Sequence, residues 1–333
     1  MESIDPLTPY SYRFGGLVVD SIVPIGLLPV AGPELAVSTS RRIIVKTSDY
    51  PIVPEGEFVY TWTGRQDLLL YKIPAAWVFR YSNGIEFRID HDGSVITCFP
   101  GLSGWSSEVT EVLVRRILPR VIVLQNRHVI HGASLTTPFG GILLCGPSHA
   151  GKSTLAASLS QHFGWGLLDD DTSILTEHAP KGGSTSFILH SAALRASLWQ
   201  DSLEALSKNI IHSEEMAVTD GKYRCELPNT AAVEDQELAA IYLVDSYASA
   251  HAPTDEITLD TLSPQDATAL LVRHQVRFYP SDAEAEMQRL TSFSKMVRNV
   301  WIRALRYPRS YDRLQEVCSL IHEDMTTSTH ACK

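Results

Sequence analysis

One short segment combines glycines, a lysine and a hydroxyl group at a spacing suited to binding phosphate. It follows the pattern G-x-x-x-x-G-K-[ST] and lies between an apolar run, Ile142 to Cys145, and a helix-like run. Its residues are Gly146, Pro147, Ser148, His149, Ala150, Gly151, Lys152 and Ser153. Glycines let successive backbone N–H groups turn towards phosphate oxygens, and the following helix directs its positive end at the same anion. The segment predicts a nucleotide-binding loop; the alternative is a glycine turn that merely precedes a helix.

The last residues of this loop have separable roles. Lys152 can reach the outer phosphates of a nucleotide. The Ser153 hydroxyl is the usual contact for a Mg²⁺ ion that bridges the last two phosphates, whereas Thr154 caps or packs the helix.

A second chemical feature is the acidic run Asp169, Asp170 and Asp171, which follows Leu167-Leu168. A helix from Ser153 to about Phe163 climbs about 16 Å, and a short strand returns by a similar length, so the acids arrive beside the loop. One carboxylate can then hold Mg²⁺ while another takes a hydroxyl proton. A solvated loop or a helix cap is the alternative explanation of the same run.

The elements around these residues suggest two domains, and we place the boundary at residues 115/116. Residues 10 to about 100 are rich in short β-prone runs, including a meander of Ala76 to Tyr81, Ile85 to Asp90 and Ser94 to Phe99 with NG and DG turns. From Glu108 to about Asn126 the pattern is helical, with a break or kink at Pro119. We therefore predict a β-rich domain over 1–115 and an α/β domain over 116–333.

The second domain alternates strand-like and helix-like runs. His128 to Leu135 and Ile142 to Cys145 are predicted as two strands of a buried sheet. Further strands are predicted at 166–168, 174–175, 187–189 and 238–244. Helices are predicted near 153–162, 198–208, 263–273, 283–306 and 311–323.

Composition narrows the function classes. Hydrophobic residues make up 44% of the 333-residue chain, which indicates a globular protein, and the net charge of -10 argues against a nucleic-acid partner. The five cysteines are scattered without CxxC spacing, so we expect reduced thiols and no zinc site. The N-terminus lacks the pattern of a secretory signal and no run of 18 apolar residues follows, so we expect a cytoplasmic protein with no membrane partner.

Over about residues 116 to 275 the chain resembles the HPr kinase/phosphorylase family, and is most similar to HPr-kinase-like lasso-peptide precursor kinases. The resemblance rests on His131-Gly132-Ala133-Ser134 before the loop strand, on GPSHAGKST at 146–154, and on the DD pair at 170–171. Weaker matches are the segment 194–199 (LRASLW) and the strand around Lys222. The family resemblance implies a P-loop kinase domain whose sheet is mixed, as in phosphoenolpyruvate carboxykinase, beside a β-rich N-terminal domain.

The resemblance also implies roles for individual residues. It makes Asp170 the general base towards an acceptor serine, lets Asp171 help hold Mg²⁺, and places His131 at the phosphate end of the site. A histidine between apolar residues is also often a core group, so both interpretations of His131 stay open. Arg195 and Lys222 are candidate substrate-binding residues that balance phosphate charge, or else surface ions.

These observations favour a kinase that transfers the γ-phosphoryl group of MgATP to a serine of a peptide or small protein. The β-rich first 100 residues resemble the N-terminal parts of lasso-peptide kinases more than the sensor domain of the bifunctional enzymes, so HPr is not the expected substrate. A small-molecule kinase and a nucleotide-binding regulator without transfer activity remain the alternatives. By analogy with the family, a homo-oligomer is plausible.

Overall fold

The computed structural model divides the chain into two compact units. One comprises Met1–Asn126 with Arg277–Pro280, and the other Arg127–Val276 with Ser281–Lys333. The structure describes residues 9–32, 41–52, 56–63, 67–179, 183–228, 234–244, 256–279 and 283–331. The division falls after Asn126 rather than at 115/116, and the helical segment before it accounts for the difference.

The first unit is built on one eight-stranded sheet with the order β1-β2-β3-β8-β7-β6-β5-β4. Its strands are β1 (Tyr10–Phe14), β2 (Leu17–Ser21), β3 (Arg42–Thr47), β4 (Glu57–Trp62), β5 (Leu68–Ile73), β6 (Ala76–Tyr81), β7 (Glu86–Asp90) and β8 (Val95–Phe99). The pairs β2–β3 and β3–β8 are parallel and the remaining pairs are antiparallel. The predicted meander is confirmed as β6, β7 and β8, and the turn glycines Gly84 and Gly93 have the positive φ that these tight turns require.

A helical segment completes the first unit. It consists of α1 (Ser107–Val112), a π-helical turn (Leu113–Ile117) and α2 (Leu118–Leu124). The predicted kink therefore takes the form of a widened turn directly before Pro119, which has no N–H to donate to the preceding turn. Gln125 Nε2 donates to the carbonyl of Asp92 in the β7–β8 turn. The helical segment thus belongs with the first sheet, which moves the boundary towards Asn126.

The second unit contains a nine-stranded mixed sheet with the order β12-β10-β11-β18-β14-β13-β9, in which β20 also pairs with β18 and β19 pairs with β20. Its strands are β9 (His128–Ile130), β10 (Gly132–Thr137), β11 (Gly140–Cys145), β12 (Gly166–Asp169), β13 (Ser173–His178), β14 (Ser186–His190), β18 (Gln236–Val244), β19 (Thr258–Thr261) and β20 (Trp301–Arg306). Strand β18 runs parallel to both β11 and β20, and the other pairs are antiparallel. A small antiparallel sheet has the order β15 (Ala196–Trp199), β17 (Lys222–Glu226), β16 (His212–Glu215).

Helices cover both faces of the mixed sheet. They are α3 (Lys152–Phe163), α4 (Gln200–Ala205), α5 (Pro264–His274), α6 (Ala283–Asn299) and α7 (Leu314–Ala331), with 3-10 turns at Ser207–Asn209 and Tyr311–Arg313. On β11, Ile142 and Leu144 join the core formed with α3 and α7, whereas Leu143 and Cys145 join the core formed with α5 and α6. Because both faces are buried, the strand is a continuous apolar run. None of the helices in the described ranges has the length and apolar character needed to cross a membrane.

Three predictions about the second unit are wrong in detail. Residues 128–135 are not one strand, because the chain leaves β9 at His131 and enters β10, which pairs with different neighbours. The helix predicted near 198–208 begins only at Gln200, after strand β15. The helix predicted over 283–306 ends at Asn299, and residues 301–306 form β20 instead. The reason for this last difference is the parallel partner β18, whose pairing with β20 is non-local and outweighs local helix preference.

The cysteines agree with the expectation of reduced thiols. Cys98, Cys145, Cys225 and Cys318 are free and buried. Burial raises the pKa of the Cys225 and Cys318 thiols to about 11, so both stay protonated near neutral pH. Cys332 lies outside the described residues.

Candidate active site

The glycine-rich loop joins β11 to α3, and both of its glycines are required by the geometry. A Cβ atom on Gly146 would lie 2.3 Å from the carbonyl oxygen of Val244. Gly151 has φ 89° and caps α3, and a Cβ there would lie 2.7 Å from Oη of Tyr307. His149 also has a positive φ of 65°. These conformations turn the loop tightly over the N-terminus of α3, where unpaired N–H groups and the helix dipole favour an anion.

Lys152 is the first residue of α3 and is only 7% exposed. Its Nζ donates to the carbonyls of Gly146 (3.0 Å) and Pro147 (2.8 Å), so the side chain folds back along the loop. Burial lowers the pKa of its ammonium group, and the nearby Asp170 acts in the opposite direction. A cation held against the loop in this way can exchange its two carbonyl partners for phosphate oxygens.

Asp169, the first of the three acids, organises the turn that follows β12. Its Oδ1 accepts hydrogen bonds from the backbone N–H groups of Asp171 (2.8 Å) and Thr172 (3.0 Å). Its Oδ2 accepts one from the N–H of Ala193 (3.0 Å). With both oxygens engaged by backbone, Asp169 fixes the direction in which the next two residues leave the strand. The sequence analysis assigned roles to Asp170 and Asp171 only, and it missed this structural role of Asp169.

The other two acids point to different surroundings. Asp170 is 2% exposed, and its Oδ2 accepts the N–H of Ser197 at the start of the small sheet (2.6 Å). Asp171 lines the cavity described below, and its Oδ1 lies 3.7 Å from Nζ of Lys222. Asp170 is therefore packed behind the site, close enough to Lys152 to affect its pKa, while Asp171 faces the cavity.

His131 also lines this cavity, at the point where β9 gives way to β10. Its Nδ1 lies 3.0 Å from the backbone oxygen of Asp171. A carbonyl oxygen can only accept, so the proton of the neutral ring is on Nδ1, and Nε2 is the basic nitrogen. The contact ties His131 to the acidic turn, which brings together two of the motifs on which the family resemblance rests.

The two candidate substrate-binding cations, Lys222 and Arg195, lie in different places. Lys222, at the beginning of β17, lines the cavity next to Asp171. Arg195 lies outside the cavity lining, and its guanidinium is 3.6 Å from Oε1 of Glu214, which also pairs with Arg224 at 2.6 Å. The structure thus brings Lys222 to the loop and the acids, and leaves Arg195 on the acidic side chain of a neighbouring strand.

The loop, His131, Asp171 and Lys222 line one cavity of about 790 Å³ within the second unit. Sequence reasoning missed the part of its lining that comes from α4, from the β16–β17 connection and from the segment after β20. These additional residues are Gln200, Asp201, Ser202, Thr219, Gly221, Tyr307, Arg309, Ser310, Tyr311 and Leu314, together with Trp199 at the end of β15. No motif in the sequence marks these residues, because the lining is assembled from segments that are far apart along the chain.

The lining includes oxygen donors suited to magnesium. Ser153 and Asp171 both line the cavity, one from the start of α3 and the other from the acidic turn. Mg²⁺ is commonly held by one or two side-chain oxygens together with the phosphates of a nucleotide. Within the described ranges, no three His, Cys, Asp or Glu side chains gather closely enough to hold a metal. The loop and this donor pair fit a magnesium–nucleotide complex in which the phosphates supply further ligands.

Comparisons with known proteins complete the description of the site. Neither the scan of protein-family models nor the search of curated proteins found a match to this chain. Among solved structures, the chain is similar to the Hpr(Ser) kinase/phosphatase from Coxiella burnetii, with 12% sequence identity and a TM-score of 0.28. That similarity covers 60% of this chain and 97% of the other.

Proposed function

We propose that this protein is a kinase that transfers the γ-phosphoryl group of MgATP to a serine hydroxyl of a peptide or small protein. The observation that carries the proposal is the arrangement of the cavity. Its lining combines a glycine-rich loop at a helix N-terminus with an acid, Asp171, and two further groups, Lys222 and His131. Phosphoryl transfer needs little more than positioning and charge stabilisation, and this set supplies both.

The phosphate end of the site would be organised by the loop. The backbone N–H groups before Lys152 and the positive end of α3 would receive the β- and γ-phosphates. Lys152 would leave the carbonyls of Gly146 and Pro147 and pair with phosphate oxygens instead. Ser153 and Asp171 would hold Mg²⁺, which when bound neutralises charge on the transferred group. Lys222 would balance the remaining negative charge on the equatorial oxygens.

A carboxylate would accept the proton of the acceptor hydroxyl. The family resemblance gives this role to Asp170, which adjoins the cavity-lining Asp171 in the chain and whose Oδ2 accepts the N–H of Ser197, another lining residue. Asp171 competes for the same role because it lines the cavity directly. The two assignments differ in a measurable way, since a metal ligand affects nucleotide binding and a general base affects transfer alone.

The proposal that the acceptor is a serine rests on the motifs at 131–134, 146–154 and 170–171, which resemble those of HPr-kinase-like and lasso-peptide precursor kinases. A small-molecule kinase would use the same loop with a different acceptor. A nucleotide-binding regulator would bind ATP in this cavity without transferring phosphate.

The experiment is mass spectrometry of serine-containing peptides after incubation with the protein, Mg²⁺ and ATP, with ATP binding measured in parallel by calorimetry. Wild type should add one phosphate to one class of peptide. Asp170→Asn should bind ATP within about threefold of wild type and lose transfer by about 100-fold or more. Asp90→Asn, on β7 of the first unit, is the matched control and should leave both readouts unchanged.

Each outcome separates the candidates. ATP binding without transfer to any peptide or small molecule would reject the kinase and favour the regulator. Transfer that survives in Asp170→Asn but disappears in Asp171→Asn, with ATP binding intact in both, would reassign the general base to Asp171. Absence of ATP binding in wild type would reject the proposal altogether.

A further inference from the structure

The cavity has two chemically different parts. One is polar and is formed by His131, Asp171 and Lys222, beside the acidic turn. The other is aromatic and is formed by Trp199, Tyr307 and Tyr311, which line the same cavity from the end of β15 and from the segment after β20. The proposed function accounts for the polar part and for the loop, and it leaves the aromatic part without a role.

Trp199 is held in place from one side by the loop itself. Its indole stacks on the imidazole of His149, with ring centroids 5.6 Å apart and an interplanar angle of 21°. His149 adopts its positive φ within the phosphate-binding pattern, so the loop that turns around an anion also supports the indole. Trp199 is nevertheless 40% exposed, which is unusual for so large an apolar side chain and leaves ring surface accessible.

Tyr311 is linked to the start of α3 by two hydrogen bonds. Its Oη lies 3.0 Å from Oγ of Ser202, and that oxygen lies 2.9 Å from Oγ1 of Thr154. Thr154 directly follows the proposed magnesium ligand Ser153 along the chain. Tyr311 is 42% exposed, so its hydroxyl is anchored while its ring surface remains accessible. Tyr307 lies against the same end of the loop, with its Oη close to Gly151, the cap of α3.

We propose that this aromatic part binds the base of the nucleotide by stacking, with Trp199 as the main platform and Tyr311 as a second contact. The proposal rests on the proposed function and deepens it by assigning a nucleoside subsite. A base is joined to its phosphates through the ribose and must therefore lie near the phosphate loop, and both rings are connected to residues of that loop or of the first turn of α3. The cavity volume of about 790 Å³ is within the range of sites for ligands of this size.

The physical basis is the amphipathic, rigid character of these rings. Trp and Tyr offer a large contact area at a small cost in side-chain entropy, and their contacts with His149 and Ser202 restrict them before any ligand arrives. Stacking of a base on an aromatic side chain is worth about 5- to 100-fold in affinity, judged from alanine substitutions at other sites. Stacking adds nothing to a ligand that has phosphates and no base.

The test is to measure by calorimetry, in the presence of Mg²⁺, how tightly ATP and inorganic tripolyphosphate bind to wild type and to Trp199→Ala. We expect Trp199→Ala to weaken ATP by about 5- to 100-fold and tripolyphosphate by less than about twofold. Trp199→Phe keeps a ring and should bind ATP within about threefold of wild type. Trp62→Ala is the matched control, because Trp62 is similarly exposed at 45% but belongs to β4 of the first unit.

Substitutions at Tyr311 test the same subsite without relying on the correct folding of Trp199→Ala. Tyr311→Ala should weaken ATP several-fold more than tripolyphosphate, whereas Tyr311→Phe removes only the hydroxyl and should preserve the difference between the two ligands. Equal weakening of ATP and tripolyphosphate in the alanine variants would overturn the subsite while leaving the kinase intact. Failure of wild type to bind either ligand would instead overturn the proposed function, and the subsite with it.

Discussion

The substitution Gly151→Ala tests whether the loop glycine is needed for two separate reasons. Gly151 has φ 89°, in the left-handed region that costs a residue with a Cβ atom about 1–2 kcal/mol. The added Cβ would also lie 2.7 Å from Oη of Tyr307, closer than such contacts are found. Forcing a methyl group into a filled position costs about 1–3 kcal/mol. The expected loss in free energy of unfolding is therefore about 2–5 kcal/mol, the sum of the two effects.

Two further variants separate the contributions. Gly221 belongs to the same unit and has φ 70°, and a Cβ atom added there would meet nothing within 4 Å, so Gly221→Ala should lose only the backbone part, about 1–2 kcal/mol. In the Tyr307→Phe background the nearest atom to the new methyl group is the ring carbon at 3.8 Å, an ordinary contact. Gly151→Ala in that background should then cost no more than Gly221→Ala.

The assay is urea unfolding of wild type, of Gly151→Ala, Gly221→Ala and Tyr307→Phe, and of the Gly151→Ala/Tyr307→Phe double variant. The coupling energy between positions 151 and 307 is then calculated from the free energies of unfolding. We expect that coupling to be about 1–3 kcal/mol in favour of the double variant, equal to the relieved overlap. A coupling energy near zero, or a Gly151→Ala cost equal to that of Gly221→Ala, would show that Tyr307 does not press on the loop and would refute the reasoning.

Three other substitutions test single interactions in the second unit. Asp169→Ala leaves three backbone N–H groups without their acceptor and should cost about 3–5 kcal/mol in urea unfolding; a loss below about 1 kcal/mol would contradict its structural role. Lys152→Ala should weaken tripolyphosphate binding at least tenfold in calorimetry, and unchanged binding would place the phosphates elsewhere. Burial lowers the pKa of His128, so the unfolded chain takes up its proton first as pH falls through about 6.5. Below that pH the free energy of unfolding contributed by His128 should fall by at most about 1.4 kcal/mol per pH unit. The difference in free energy of unfolding between wild type and His128→Gln should therefore narrow as the pH falls. A difference that does not change with pH would contradict this prediction.

Local patterns in the sequence predict the elements whose geometry depends on near neighbours. The meander β6–β7–β8 follows from its NG and DG turns, because those residues tolerate the positive φ of tight hairpins. The strand–loop–helix unit around the G-x-x-x-x-G-K-[ST] pattern follows in the same way, since Gly151 tolerates the positive φ with which it caps the helix. In these segments the determining interactions lie within a few residues along the chain.

The division of this part of the chain into β9 and β10 at His131 depends on strand partners that are distant in sequence. Residues 128–135 were predicted as one strand, yet β9 pairs with β13 while β10 pairs with β11 and β12. The local pattern did not reveal the split, because β-prone residues stand on both sides of His131. The split nevertheless matters for the site, since it is where His131 meets the backbone of Asp171.

The three acids at 169–171 show the same difference between what local sequence predicts and what depends on distant residues. The sequence by itself determined that three carboxylates follow a short strand after α3, and therefore that acids lie near the loop. Only the tertiary structure decided that Asp169 binds backbone N–H groups, that Asp170 packs against Ser197 and that Asp171 faces the cavity. It likewise brought Tyr307 and Tyr311 to the loop through the pairing of β20 with β18. The physical reason is that turn chemistry is encoded by adjacent residues, whereas the direction of a side chain and the partner of a strand depend on residues that only folding brings together.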